Sequence, residues 1–168
     1  MTPEARLAAL FRLDEEGWAR HANPWSGWTR FATLPLLVLA GWSRVWIGQW
    51  WLLATALLLA WLWVNPRLFA PPRHWDAWIT RGVLGERIWL ARDTTPVPAH
   101  HRVLPLVLTG VALAGFLLMV AGIVVLAPWP TIAGMAIVLL AKLWFVDRMA
   151  WLLADSAGTA PPPGQPMR

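Results

Sequence analysis

Four stretches of this chain, residues 26–43, 45–64, 104–126 and 129–153, stay apolar for about the 20 residues that a helix needs to cross a hydrocarbon core. They are too long for buried strands. They also hold too much apolar length for a globule of 168 residues to hide, since 58% of the chain is hydrophobic and only 14% is charged. In lipid the backbone must satisfy its own hydrogen bonds, so each run reads as a helix. The expectation is an all-α integral membrane protein, a four-helix bundle built from two hairpins, with residues 1–156 as one domain. The first hairpin is expected to turn at Ser43-Arg44 and the second at Ala127-Pro128-Trp129-Pro130. Pro35 removes one backbone bond inside the first span and predicts a kink. Trp46, Trp50, Trp51, Trp61 and Trp63 bracket the second span as an interfacial belt does.

Most of the charges lie between the runs, with Arg30, Lys142, Asp147 and Arg148 inside them. Arg6, Arg12, Arg20 and Arg30 precede or open the first span, and Arg67, Arg73, Arg81, Arg87, Arg92 and Arg102 fill the central loop, whereas the hairpin turns carry only Arg44. Positive charge gathers on the cytoplasmic side, so the pattern predicts a multi-pass protein of the inner (cytoplasmic) membrane with both termini inside. The net charge of +5 is then an orientation signal, and no nucleic-acid partner is expected. The apolar run begins at Phe31, behind a charged segment, which differs from a cleaved secretory leader. With no Cys, the chain has no disulfide, no thiolate metal site and no Cys nucleophile.

Two further segments have one apolar face. Residues 3–17 open with Thr2-Pro3-Glu4 and are expected to end at Gly17. Residues 74–92, within the loop 65–103, repeat Trp75, Trp78, Ile79 and Trp89 at helical spacing, with a break expected near Gly82 and Gly85. Both read as amphipathic helices lying in the membrane interface. The tail 157–168, with Pro161-Pro162-Pro163, reads as disordered by composition.

The densest chemistry is the ten-residue string from His21 to Arg30, just before the first span. Ser26 is expected to cap that span. A tight hairpin brings this entry beside the exit of the second span, Asn65-Pro66-Arg67, within about 8–10 Å. The candidate polar cluster is therefore His21, Asn23, Ser26, Arg30, Asn65 and Arg67, with Glu86 as the nearest acid on a segment that has an apolar face. Each member also has a plainer reading. His21 caps a helix or meets a phosphate, Asn23-Pro24 is turn chemistry, and Trp25 and Trp28 are belt residues. Arg30, Arg67 and Arg73 orient the chain or clamp a lipid phosphate.

A second rank of candidates comprises His74, His100, His101, Lys142 and Asp147. Glu86 and Asp147 are expected to pair with Arg87, Arg148 or another Arg, because an acid at the membrane edge is costly alone. Lys142 is expected to snorkel to the edge. Adjacent His100 and His101 are expected to point apart, and the loop containing Pro96 and Pro98 makes a poor rigid platform. A metal reading places iron or zinc on His21, His74, one of that pair and Glu86, although no spacing fixes the set. No catalytic residue follows from the sequence.

The string HANPWSGWTR, followed by NPRLF and LGERIW, resembles the signature of a family of small prokaryotic integral membrane proteins. That likeness implies a shared fold and no activity. His21, Asn23 and Pro35 also match the spacing of H-x-N-x-x-N-x-x-x-H-x-x-G-x-P, a motif of the Mpo1-like membrane dioxygenases, iron enzymes of 2-hydroxy fatty acid shortening. Ser26, Arg30 and Thr33 replace its second Asn, second His and Gly. Arg is always a donor and cannot ligate iron, so this resemblance does not carry that iron site over.

Two functional classes follow from the residues. One is a site at the cytoplasmic leaflet that binds or modifies a lipid or other amphiphile. The other is an accessory subunit of a membrane complex, without chemistry of its own, packed against a membrane-protein partner or a second copy. A transporter ranks third, because only Lys142 interrupts the mid-membrane stretches.

Overall fold

The computed structural model describes residues 15–156. Residues 3–14 of the helix expected over 3–17, and the tail 157–168, lie outside the described residues. Within them are six α-helices, one 3₁₀ turn and no strand. The helices are α1 (Glu15–His21), α2 (Pro24–Ile47), α3 (Trp50–Leu68), α4 (Trp78–Leu90), α5 (Leu104–Val124) and α6 (Pro128–Asp155), and the 3₁₀ turn (Ala99–His101) precedes α5.

Among the described residues, three segments are long and apolar enough to cross a membrane: α3, α5 with its 3₁₀ lead-in, and α6. Between 11% and 28% of their apolar windows is buried inside the protein, which marks a membrane protein whose sides meet something other than water. The fourth expected span, α2, is 24 residues long but is not among them, because the polar opening from Pro24 to Arg30, with Arg44 near its other end, leaves it less apolar than the other three. α2 packs along α3 and α5 along α6, while α4 packs on α6 and touches the start of α2.

Several expected boundaries move, each for a local reason. α1 runs through Gly17 to His21. Asn23, not Ser26, caps α2: its Oδ1 accepts from the Trp25 N–H at 2.9 Å, and Pro24 takes the first helical position, where its missing N–H costs nothing. Asn65-Pro66 does not stop α3 but sits in its last turn. The first hairpin turns at Gly48-Gln49 rather than at Ser43-Arg44, with Gly48 at φ +55°, a left-handed conformation that favours glycine. Ser43 stays helical by donating to Ala40 O at 2.6 Å. Arg44 reaches sideways, its Nη2 donating to Ile123 O and Val124 O at 2.7 and 2.6 Å. Those carbonyls end α5, where the i+4 helical bonds run out and Ile123 O takes a long turn bond from the Leu126 N–H at 3.3 Å, so a cation there adds a partner and complements the helix dipole.

The largest correction concerns α4. It is continuous, and Gly82 and Gly85 are contact points rather than a break. A Cβ at Gly85 would fall 3.1 Å from Met149 Cα and closer still to the Met149 carbonyl; one at Gly82 would fall 2.9 Å from Val146 O. Backbone therefore rests on backbone, and the apolar face of α4 is buried on protein instead of lying in lipid. Trp89 enters a core with Val97, Leu108, Phe145, Met149 and Leu152, meeting the Phe145 ring edge-on at 6.0 Å. Val97 in that core pins the loop between Pro96 and Pro98.

Gly85→Ala places a methyl against a carbonyl that no side-chain rotation can move, so it is expected to destabilise the fold by about 1–3 kcal/mol. Gly110→Ala, which meets nothing within 4 Å, is expected to leave the melting temperature in detergent unchanged. Equal melting temperatures for the two variants would contradict this packing.

Candidate functional site

Ser26 and Asn65 are both fully buried, and they meet where α2 begins and α3 ends. Ser26 Oγ donates to Asn65 Oδ1 at 2.7 Å, and Asn65 Nδ2 donates to Thr29 Oγ1 at 2.8 Å. Thr29 in turn donates to Trp25 O at 2.7 Å, and Thr33 donates to Thr29 O at 2.7 Å. Helical spacing alone puts Ser26, Thr29 and Thr33 on one face. An unpaired buried amide costs about 1–3 kcal/mol, so this network locks the helix pair together and is closed to ligands.

One turn away, Arg30 folds back on His21. Its Nε donates to Ser26 O at 3.0 Å and its Nη2 to His21 O at 3.3 Å, while Nη1 lies 2.9 and 2.8 Å from the two ring nitrogens of His21. A guanidinium only donates, so the imidazole accepts and is neutral. Burial above all, and then the charges of Arg30 and Lys142, push the His21 pKa down from 6.5 to about 3. Lys142 itself sits 3.5 Å from Glu86 Oε1, over the Phe145 ring at 4.5 Å. His21, Arg30, Lys142 and Glu86 thus form one neighbourhood, tied further to α4 by Thr80 Oγ1, which donates to Ala22 O at 2.7 Å.

The other expected members disperse. Asn23 Nδ2 donates to Ala70 O at 2.8 Å. Arg67 lies over the Trp63 ring, 4.3 Å from its centroid, and its carbonyl accepts from Arg20. Glu86 pairs with Lys142 rather than Arg87, and Arg87 pairs with Glu15. Asp147 accepts from Trp78 Nε1 at 3.0 Å rather than from Arg148, whose guanidinium stacks on Trp151. His74 is exposed in the loop before α4. The expected metal set of His21, His74, one of the His pair and Glu86 is therefore not assembled. Among the described residues, the imidazole and carboxylate groups that do converge are His100, His101 and Asp155. Both Nε2 atoms point at Asp155 Oδ2, at 3.0 and 2.8 Å, so the two rings do not point apart.

Asp155 also ends a cleft between α4 and α6, lined by Trp78, Arg81, Asp147, Ala150, Trp151 and Ala154, with a volume of about 220 Å³. Trp78, its position set by Asp147, stacks on Trp28 at 6.1 Å. Sites for drug-sized ligands run to about 300–1,000 Å³, so this cleft is smaller than one of those. Its walls offer indole faces, one guanidinium and two carboxylates.

Over residues 2–166 the chain matches the model of DUF6653, a family of unknown function. The chain belongs to that family. Among curated proteins and among solved structures nothing matches it. The DUF6653 match covers the motif string, the polar neighbourhood and the cleft alike, and it assigns chemistry to none of them.

Three residues of this DUF6653 chain escape the sequence reading. Thr29 could have been found from its spacing to Ser26 and Asp155 from its place after the last apolar run, on the Arg-rich side that also holds His100 and His101. Arg81 carries no such signal, since nothing local distinguishes it from the other loop arginines.

The lowered pKa of His21 predicts an acid sensitivity for this chain. The folded pKa lies below the unfolded value, so as pH falls through 6.5 toward 3 the unfolded state takes up the proton first and stability is lost; above 6.5 the contribution is flat. Between about pH 7.5 and pH 4.5 the wild type is expected to lose more melting temperature than His21→Gln, by at most about 1.4 kcal/mol per pH unit. Parallel curves for the two proteins would contradict the neutral buried imidazole.

Proposed function

We propose that this protein holds the head group of a lipid or similar amphiphile in the α4–α6 cleft, at the cytoplasmic leaflet of the inner membrane. The observation that carries this reading is a cleft of about 220 Å³ walled by Trp78 and Trp151 and rimmed by Arg81. Arg81 suits a phosphate as a bidentate donor. Trp151, 57% exposed, with Ala150 and Ala154, suits the first methylenes of a tail that continues along the outer face of α6.

In this reading α2 crosses the membrane beside α3, giving four crossings. Supporting it, the turn at Gly48-Gln49 lies at the same end as the α5–α6 turn, since Arg44 bonds the last carbonyls of α5. The remaining arginines of the described residues lie in α1, in the first turns of α2, at the far ends of α3 and α6, and in the loop with α4. By the positive-inside rule that end faces the cytoplasm. No catalytic residue is assigned.

The accessory-subunit reading has one observation in its favour. The face of α3 exposing Leu52, Leu53, Leu57, Leu59 and Trp63 is broad enough to receive a partner helix or a second copy.

Native mass spectrometry of the protein released from detergent separates the two. The wild type is expected to carry a bound lipid, and Arg81→Gln and Trp151→Ala each to reduce its retention about tenfold, the loss of roughly 1.4 kcal/mol. Leu57→Ala is expected to retain it. Equal retention in all four proteins would turn the assignment to the subunit reading.

A further inference from the structure

We infer that His100, His101 and Asp155 form a binding site for a first-row divalent cation, zinc in the first instance, which borders the head-group cleft at Asp155 but does not rest on the head-group reading. Two imidazole nitrogens approach one carboxylate oxygen at 3.0 and 2.8 Å, and the three donor atoms all lie within 4.8 Å of one another. Ligands about 2.0–2.2 Å from a tetrahedral zinc stand roughly 3.3–3.5 Å apart, so a cation enters once the two nitrogen–oxygen gaps of 3.0 and 2.8 Å open slightly and the exposed His100 ring turns to set the spacing of the two nitrogens.

The donors are unusual as a purely hydrogen-bonded set. For both His to donate to the same Oδ2, both must carry the proton on Nε2, with their ring centroids 4.2 Å apart. One divalent cation replaces those two protons and serves two neutral imidazoles and one carboxylate together. His101 is 1% exposed, and its Nδ1 is buried without a hydrogen-bond partner, so this ring is held in place by packing rather than by a competing polar contact.

The frame is stiff and the electrostatics suit a cation. Val97 is anchored in the core, the His101 N–H donates to Pro98 O at 3.0 Å, and Arg102 Nε donates to Val97 O at 3.1 Å. Asp155 is the last residue of α6, where the free carbonyls of a helix end carry negative partial charge. The outer side is open: the side chains of His100 and Asp155 are 65% and 45% exposed, leaving a path for entry and coordination positions for water. Two nitrogens and one oxygen favour zinc or ferrous iron over calcium or magnesium, which take oxygen ligands.

The test uses the full chain in detergent, stripped with a chelator and titrated with zinc chloride by calorimetry. Expected is one equivalent per chain with a Kd below about 1 µM, and a higher melting temperature in the presence of zinc. His100→Ala and Asp155→Asn are each expected to weaken binding at least about a hundredfold. His74→Ala and Arg81→Gln are expected to bind zinc as the wild type does, so loss of lipid without loss of zinc separates this site from the cleft. Should Asp155→Asn fail to fold, His100→Ala, changed at an exposed ring, decides alone. No stoichiometric uptake by the wild type, or undiminished uptake by His100→Ala, overturns the assignment.

Discussion

In hydrocarbon a polar side chain has no water to fall back on, and that constraint explains where each one stands here. Asn65, fully buried, is answered by Ser26 and Thr29. Arg44, near the end of α2, is answered by two helix-end carbonyls of α5. Lys142 is the most demanding case, because it lies thirteen residues before the end of α6, or ~20 Å along the helix axis at 1.5 Å per residue. A charge at the centre of a membrane-spanning helix costs about 2.5–3.5 kcal/mol unless it is paired. Glu86 supplies the pair, and to do so α4 must reach down along α6.

That requirement gives the glycines of α4 their purpose. Only with Gly82 and Gly85 against Val146 and Met149 can α4 lie close enough for Glu86 to meet Lys142 and for Trp89 to enter the core. The same approach creates the cleft between Trp78, Arg81 and Trp151. It also places Thr80 on Ala22, so the motif string of α1 and α2 is fastened to α4 rather than standing alone. Packing and site are therefore one arrangement: the element that pairs the Lys142 ammonium also builds the walls of the candidate site.

The order of the long helices was legible in the apolar runs, and so was the meeting of the α2 entry with the α3 exit, where Asn65 does bond Ser26. What the sequence hid was long-range. Ser43-Arg44 reads locally as a turn, yet Arg44 serves carbonyls 79 and 80 residues away, and that contact keeps α2 helical to Ile47. Gly82 and Gly85 read as a break because their partners are backbone atoms of α6, invisible to any local pattern. His100 and His101 read as divergent because Asp155, 55 and 54 residues on, turns both rings to one oxygen. The motif placed His21 and Arg30 in one polar cluster, but only the fold reveals that burial, then the charges of Arg30 and Lys142, push the imidazole pKa down.

The central claim is that four helices cross the membrane and that, among the described residues, the ionisable chemistry other than Arg44 gathers toward one side. Single cysteines in this Cys-free chain test it without background, at exposed Gln49 and Val125 in the two short turns and at exposed Thr94 in the long loop. In intact cells an impermeant maleimide is expected to label Gln49→Cys and Val125→Cys from outside, and Thr94→Cys only after lysis. Labelling of Thr94→Cys in intact cells, or protection of Gln49→Cys while Val125→Cys reacts, would contradict the account.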